Sequence, residues 1–225
     1  AANYVAQQGH NSDPNSGGFM TDNAQGSTTA QVAYGSKRWG LSAGYRYSQC
    51  GSTFGKATEF ARTNGYSQNC VDSDGKRTNA DAHSWALNAF WQPEDSGFIP
   101  SISVGWAINT INGDNIVDGT YTTSQSWFTG LKWEDAFMEG NALGFAFGQP
   151  TFATALKGDS TPYDGNYAFE LYYNFQVTDN IAIAPALFYL SRPEGQLAQS
   201  TVANGKGYDG QFNIFGGLIQ TTFKF

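Results

Sequence analysis

Bulky apolar side chains recur at every second position along most of this chain. Trp39, Leu41, Ala43, Tyr45 and Tyr47 alternate with Gly40, Ser42, Gly44, Arg46 and Ser48. Ile102, Val104, Trp106 and Ile108 alternate with Ser101, Ser103, Gly105, Ala107 and Asn109. Phe169, Leu171, Tyr173 and Phe175 alternate with Glu170, Tyr172, Asn174 and Gln176, and Phe215, Ile219, Thr221, Phe223 and Phe225 with Gly216, Gln220, Thr222 and Lys224. A period of two is that of a strand whose faces meet different media. It predicts nine strands, at 28–36, 38–49, 83–92, 99–110, 124–133, 141–149, 167–177, 181–190 and 212–225, with Ala1–Gln7 as the tail of an earlier one. No segment combines helix caps with a 3.6-residue period, so no helix is expected.

The connections alternate in length. Ser36–Lys37, Pro93–Phe98, Glu134–Gly140 and Thr178–Asn180 are short; Cys50–Ala82, Ile111–Thr123, Pro150–Asn166 and Ser191–Gln211 are long. Outer-membrane barrels have this rhythm, with short periplasmic turns and long outer loops. It makes strand 212–225 run inward. The face opposite the large apolar residues is mostly Gly, Ala, Ser, Asn and Gln, which fills a soluble core poorly but suits a wet lumen. The fold class expected is therefore all-β, an antiparallel transmembrane β-barrel with nine or ten strands in this chain. Nine strands cannot close an antiparallel barrel, so the chain is read as part of a larger one. It begins at Ala1 rather than Met, which is read as processing or truncation. Residues 1–225 are taken as one barrel domain.

Composition agrees. Charged residues make up 14%, well below the roughly 25% of soluble domains, yet the mean hydropathy is −0.41. No apolar run reaches transmembrane-helix length; the longest stretch, Ile181–Leu190, contains Pro185 and suits a tilted membrane strand of about 9–11 residues. Pro185 fits a strand interior badly, because its missing N–H breaks a ladder. A bulge, or a neighbour that does not need that donor, would accommodate it. The net charge of −7 and the absence of a basic cluster exclude nucleic acid as an expected partner.

Six tryptophans sharpen the reading. Trp39, Trp91 and Trp133 fall at inner strand ends, Trp85 and Trp127 at outer ends, and Trp106 past the middle of an outward strand. Indole favours the membrane interface, so these residues, with Phe223 and Phe225, are assigned to aromatic girdles. Leu143 is assigned to mid-membrane. On the polar face, Arg46, Asn88, Lys132, Glu170, Tyr172, Asn174, Gln220 and Lys224 are assigned to the pore lining, where charge sets ion preference. Cys50 and Cys70, in the longest loop, are expected to form a disulfide at an oxidising surface, worth about 3 kcal/mol. His10 and His83 stand alone, and Asp72, Asp74, Asp114 and Asp118 match no calcium-loop pattern. No catalytic residue, metal or cofactor is expected.

IPSISVGW at 99–106, LGFAFGQP at 143–150, FELYYNFQVTDNIAIAPALFYLSRPEG at 169–195 and the terminal TTFKF resemble the cyanobacterial iron-uptake porins, grouped with the carbohydrate-selective porins. ANYVAQQG at 2–9 is similar to the family's strand-to-loop passage ahead of this half. The resemblance implies the C-terminal half of a barrel of roughly 16 strands, within the range known for such barrels. It also implies a cyanobacterial outer-membrane location in contact with lipid and lipopolysaccharide, a homotrimer, and an upstream domain that binds peptidoglycan. The function implied is passive diffusion of small hydrophilic solutes and inorganic ions, with iron or sugars named by the family. TTFKF also resembles the terminal signal read by outer-membrane assembly machinery. Two other functions are weighed against it: a soluble β-sandwich carbohydrate-binding module, which would bury the tryptophan face, and a barrel enzyme, which would need a nucleophile–base pair.

Overall fold

The computed structural model describes residues 1–6, 9–15, 17–21, 26–49, 57–63, 80–95, 97–114, 116, 118–158, 161–197 and 212–224. Ten strands form one antiparallel sheet in strict chain order: β1 Ala2–Ala6, β2 Gly26–Gly35, β3 Trp39–Gln49, β4 Asp81–Trp91, β5 Ser101–Asn112, β6 Tyr121–Glu134, β7 Ala142–Leu156, β8 Tyr167–Thr178, β9 Ile181–Ser191 and β10 Asn213–Phe223. Among the described residues β1 and β10 are the two free edges. The segment read as a tail is a full partner: β1 pairs with β2 from Ala2↔Ala30 to Ala6↔Gly26.

Two expectations need correction. The long loop between β3 and β4 carries a short helix, α1, Glu59–Thr63. Thr58 caps it, its hydroxyl accepting the Ala61 N–H at 3.0 Å; at five residues it is too short to show a 3.6-residue period. Strand β7 does not stop at 149 but continues to Leu156. The β6–β7 register jumps from Trp127↔Gln149 to Gln125↔Phe152, so Pro150 lies in a bulge that leaves its missing donor unneeded. Pro185 is accommodated differently. It pairs in register with Ile219 of β10, while the β8–β9 ladder skips from Tyr172↔Ala186 to Phe175↔Ile183. The gap in donors therefore faces β8.

Register carries the large apolar residues onto one face. From Tyr34 the pairing passes through Leu41, Ala89, Val104, Thr129, Phe147, Phe169 and Tyr189 to Phe215. Side chains on this face stand free of protein: Trp39 is 41% exposed, Ile102 38%, Leu171 45% and Ile219 74%. The apolar band also slides along the ladder. On β2 it starts at Tyr34, whereas on β10 it runs past Phe215 to Phe223. That is about one residue (~3.3 Å) of slip for each strand-to-strand step of ~4.8 Å. The strands thus cross the band at roughly 35°, the lower end of the tilt of outer-membrane barrels.

The opposite face is smooth for a specific reason. Four of its aromatic rings lie across glycines of the neighbouring strand: Phe90 on Gly40, Phe128 on Gly105, Tyr172 on Gly144 and Phe188 on Gly216. A Cβ at any of these glycines would overlap the ring. Each ring thereby lies flat on backbone, a cross-strand device that pins register.

Candidate functional site

Arg46, Asn88, Lys132, Glu170, Tyr172, Asn174 and Gln220 all alternate onto the small-residue face. The register steps Ser42↔Asn88↔Gly105↔Phe128 and Ala146↔Glu170↔Phe188 show it directly, and Lys224 follows β10 on the side of Gln220. A cavity of about 600 Å³ on this face is lined by Asn88, Gly105, Ser126, Phe128, Gly148 and Glu170, among others. Lys132 and Tyr172 flank Gly144 from opposite strands, which gathers Lys132, Glu170, Tyr172 and Asn174 on β6–β8. Arg46 and Asn88 sit apart on β3 and β4, and Gln220 and Lys224 near the other edge. Lys132 is not a bare cation. Its Nζ lies 2.6 Å from Glu134 Oε1, a residue two positions on along the same face that the sequence reading passed over.

The tryptophans occupy the other face. Trp39 pairs with Trp91, and the Trp133 indole donates to the Phe98 carbonyl in the β4–β5 turn at 2.9 Å. Trp106 and Trp127 pair with each other and lie mid-strand rather than at an outer strand end, because β5 runs on to Asn112 and β6 begins at Tyr121; their indoles donate to Gln125 (3.2 Å) and Gln149 (2.6 Å). Phe223 ends β10 on the same face and is 56% exposed. Leu143 is not central: it pairs with Trp133 beside the short turn. His83 is not solitary either. Its Nδ1 is 2.7 Å from the Tyr45 hydroxyl and its Nε2 is 3.4 Å from Asp81. Phe225, Cys50, Cys70, Asp72 and Asp74 lie outside the described residues.

One arrangement went unread in the sequence. Phe60 and Ala61 of α1 are buried against Ala82, Ile111 and Ala153, with Ala80, Tyr121 and Leu156 completing the cluster. Ala82 pairs with Ser48, Ile111 with Ala82 and Ala153 with Ser124, so α1 packs on the small-residue face at the long-loop end. Its tether is Asp164, 1% exposed. Asp164 Oδ2 accepts from the Thr58 hydroxyl (2.7 Å) and the Ala153 N–H (2.7 Å), and Oδ1 from the Gln196 N–H (3.1 Å). Thr58 N–H donates to Thr151 O, and Glu59 N–H to Pro193 O. Gly195 beside it has φ +60°, and a Cβ there would overlap the carboxylate. Thr58 ahead of Glu59 was the available signal, since threonine before an acidic first turn is a capping pattern.

Burial pushes the Asp164 carboxyl above the ordinary carboxylate range, against the hydrogen bonds from Ala153, Thr58 and Gln196 and the charge of Arg192. A carboxyl whose folded pKa is raised binds protons more readily when clasped than when released. The clasped arrangement therefore loses stability as pH rises through the raised value and is most stable below the ordinary range. Protection of the Gln196 amide, corrected for intrinsic exchange, should rise as pH falls from neutral toward the ordinary carboxylate range. Protection that falls instead would mean that the hydrogen bonds to the anion outweigh burial.

Residues 130–225 match the family model described as carbohydrate-selective porin, OprB family. A curated relative, uncharacterized protein sll0772 of Synechocystis sp., is 26% identical over 216 residues, covering 88% of this chain and 38% of its own length. Among solved structures, Salmonella typhi OmpF in complex with daunomycin superposes with a TM-score of 0.50 at 14% identity, over 88% of this chain and 51% of its own. Pseudomonas putida OprB at high pH gives 0.48 at 16% identity, over 91% and 51%. The chain thus spans about half or less of the length of each of these relatives.

Proposed function

We propose that this chain, OprB-like over residues 130–225 and porin-like in fold, is the C-terminal part of an outer-membrane porin through which small hydrophilic solutes and inorganic ions diffuse passively. The observation that carries the reading is the slanted band of exposed Trp, Phe, Leu and Ile on one face, backed by glycine, serine, asparagine and scattered charges on the other. In water such a band far exceeds the apolar patch a soluble monomer exposes. Against acyl chains it is the favourable arrangement, provided further strands close the edges of β1 and β10, because unpaired backbone groups in hydrocarbon cost several kcal/mol each. The soluble sandwich reading needs the tryptophan face buried, and its exposure speaks against that.

In this reading Trp39, Trp91 and Trp133 mark the inner interface and Trp85, Trp106 and Trp127 the outer one, with Phe223 ending β10 at the periplasmic side. Arg46, Asn88, Lys132, Glu170, Tyr172, Asn174, Gln220 and Lys224 border water. The Lys132–Glu134 pair offsets charge on β6, so Glu170 weighs more in local selectivity than a count of side chains implies. A cyanobacterial source, assembly as a trimer, iron or sugar as solute and an upstream peptidoglycan-binding domain belong to the same proposal. Single-channel recording of the full-length protein in planar bilayers tests it, with reversal potentials in a salt gradient. Steady ohmic current is expected, and Glu170→Gln should move the reversal potential toward anion preference. Well-folded protein that passes no current would end the porin reading.

A further inference from the structure

We infer that Asp164 is the positioning residue of the pore mouth: one buried carboxylate cinches three long loops and a strand so that helix α1 stands over the lumen. The inference rests on the porin reading above. Its basis is connectivity. Asp164 belongs to the β7–β8 loop, Thr58 to the β3–β4 loop, Ala153 to β7 and Gln196 to the β9–β10 loop, and all three donate to its two oxygens. Thr58 is wholly buried and Asp164 nearly so. A carboxylate taken out of water is costly unless its lone pairs are filled; here they are filled only when the three loops are together, so the bonds form as a set. The set fixes α1 by its first turn, because Thr58 is also the helix cap.

The consequence is local to the mouth. The apolar side of α1, Phe60 and Ala61, is pressed on the small-residue face. Its polar side carries Glu59 and Arg62, joined by a two-point ion pair (Nε to Oε2, 2.9 Å) and both partly exposed. With the strands around it closed into a barrel, that side points toward the axis. The paired charges then stand in the path of solute at the outer end, and their position depends on Thr58 and Asp164 rather than on the sheet.

Three variants of the full-length protein, recorded in planar bilayers, test the inference. Asp164→Asn has one acceptor oxygen where the wild type has two, and turns an amide N–H toward the Gln196 N–H. Thr58→Val removes the hydroxyl that links helix to carboxylate, and Thr58→Ser keeps it. Asp164→Asn and Thr58→Val should raise open-channel noise several-fold, increase conductance and shift the reversal potential, while Thr58→Ser matches wild type. A purely structural role would lower the unfolding temperature and leave noise and selectivity where they were, and that result overturns the inference. Should Asp164→Asn fail to fold, Thr58→Val against Thr58→Ser decides alone. A conducting wild type with all three variants unchanged sinks the clasp and leaves the porin standing; a folded wild type without current sinks both.

Discussion

An arginine at Leu171 should destabilise the folded protein by about 2–4 kcal/mol in a bilayer, the cost of a cation at the hydrocarbon midplane of a barrel. Leu171 sits on β8 between Phe145 and Leu187 in register, well inside the apolar band and 45% exposed. That exposure makes the variant discriminating. In a soluble protein a half-exposed leucine on a sheet surface tolerates polar replacement, within roughly 0.5 kcal/mol either way. Only a medium that cannot solvate guanidinium turns the same substitution into a large loss. Leu143→Arg is the internal control. Leu143 pairs with Trp133, whose indole reaches the turn carbonyl of Phe98, so arginine there can snorkel toward headgroups and should cost about 0–1 kcal/mol. Reversible denaturant unfolding in phospholipid vesicles gives both values. Equal, small costs would mean that the apolar face does not meet hydrocarbon.

The faces were legible in the sequence because a period of two depends only on strand geometry. Leu41, Val104, Phe169 and Phe215 could be assigned to one side without knowing which strands pair. The tilt was not legible: it needs register, and register is a relation between strands that no single strand encodes. That is why Leu143, assigned to mid-membrane from its apolar face alone, lies beside Trp133 at the start of its strand. Pro150 misled in a similar way. Proline ends most strands, but a bulge of two residues against one leaves a position that requires no donor. The mouth was the least legible part. Thr58, Asp164 and Gln196 are far apart in the chain and carry no spacing pattern. Their association follows from three loops emerging at one end of the sheet, and α1 is too short to announce itself by periodicity. The disulfide, Phe225 and the acidic pair Asp72 and Asp74 stay expectations of the sequence alone.

Two glycines on the polar face separate stability from permeation. At Gly148 a Cβ would overlap the Trp127 carbonyl oxygen and stand 2.8 Å from the Phe128 Cα. Backbone cannot turn aside, so Gly148→Val must push β6 from β7 just where the Trp127 indole donates to Gln149 and the bulge at Pro150 begins. A loss of about 3 kcal/mol is expected, the upper end of overpacking costs. At Gly144 the obstacle is the ring of Tyr172, which can rotate about χ1 into open space. Gly144→Val should cost nearer 1 kcal/mol, in line with a side chain leaving its preferred rotamer. Its larger effect should be on current: the displaced phenol then stands out from the sheet beside Lys132, and a narrower path conducts less. Unfolding in vesicles and single-channel recording on the same two proteins should therefore give opposite orders. A Gly144→Val protein with wild-type conductance would mean that Tyr172 does not border the water-filled path, which would remove the β6–β8 cluster from the pore lining.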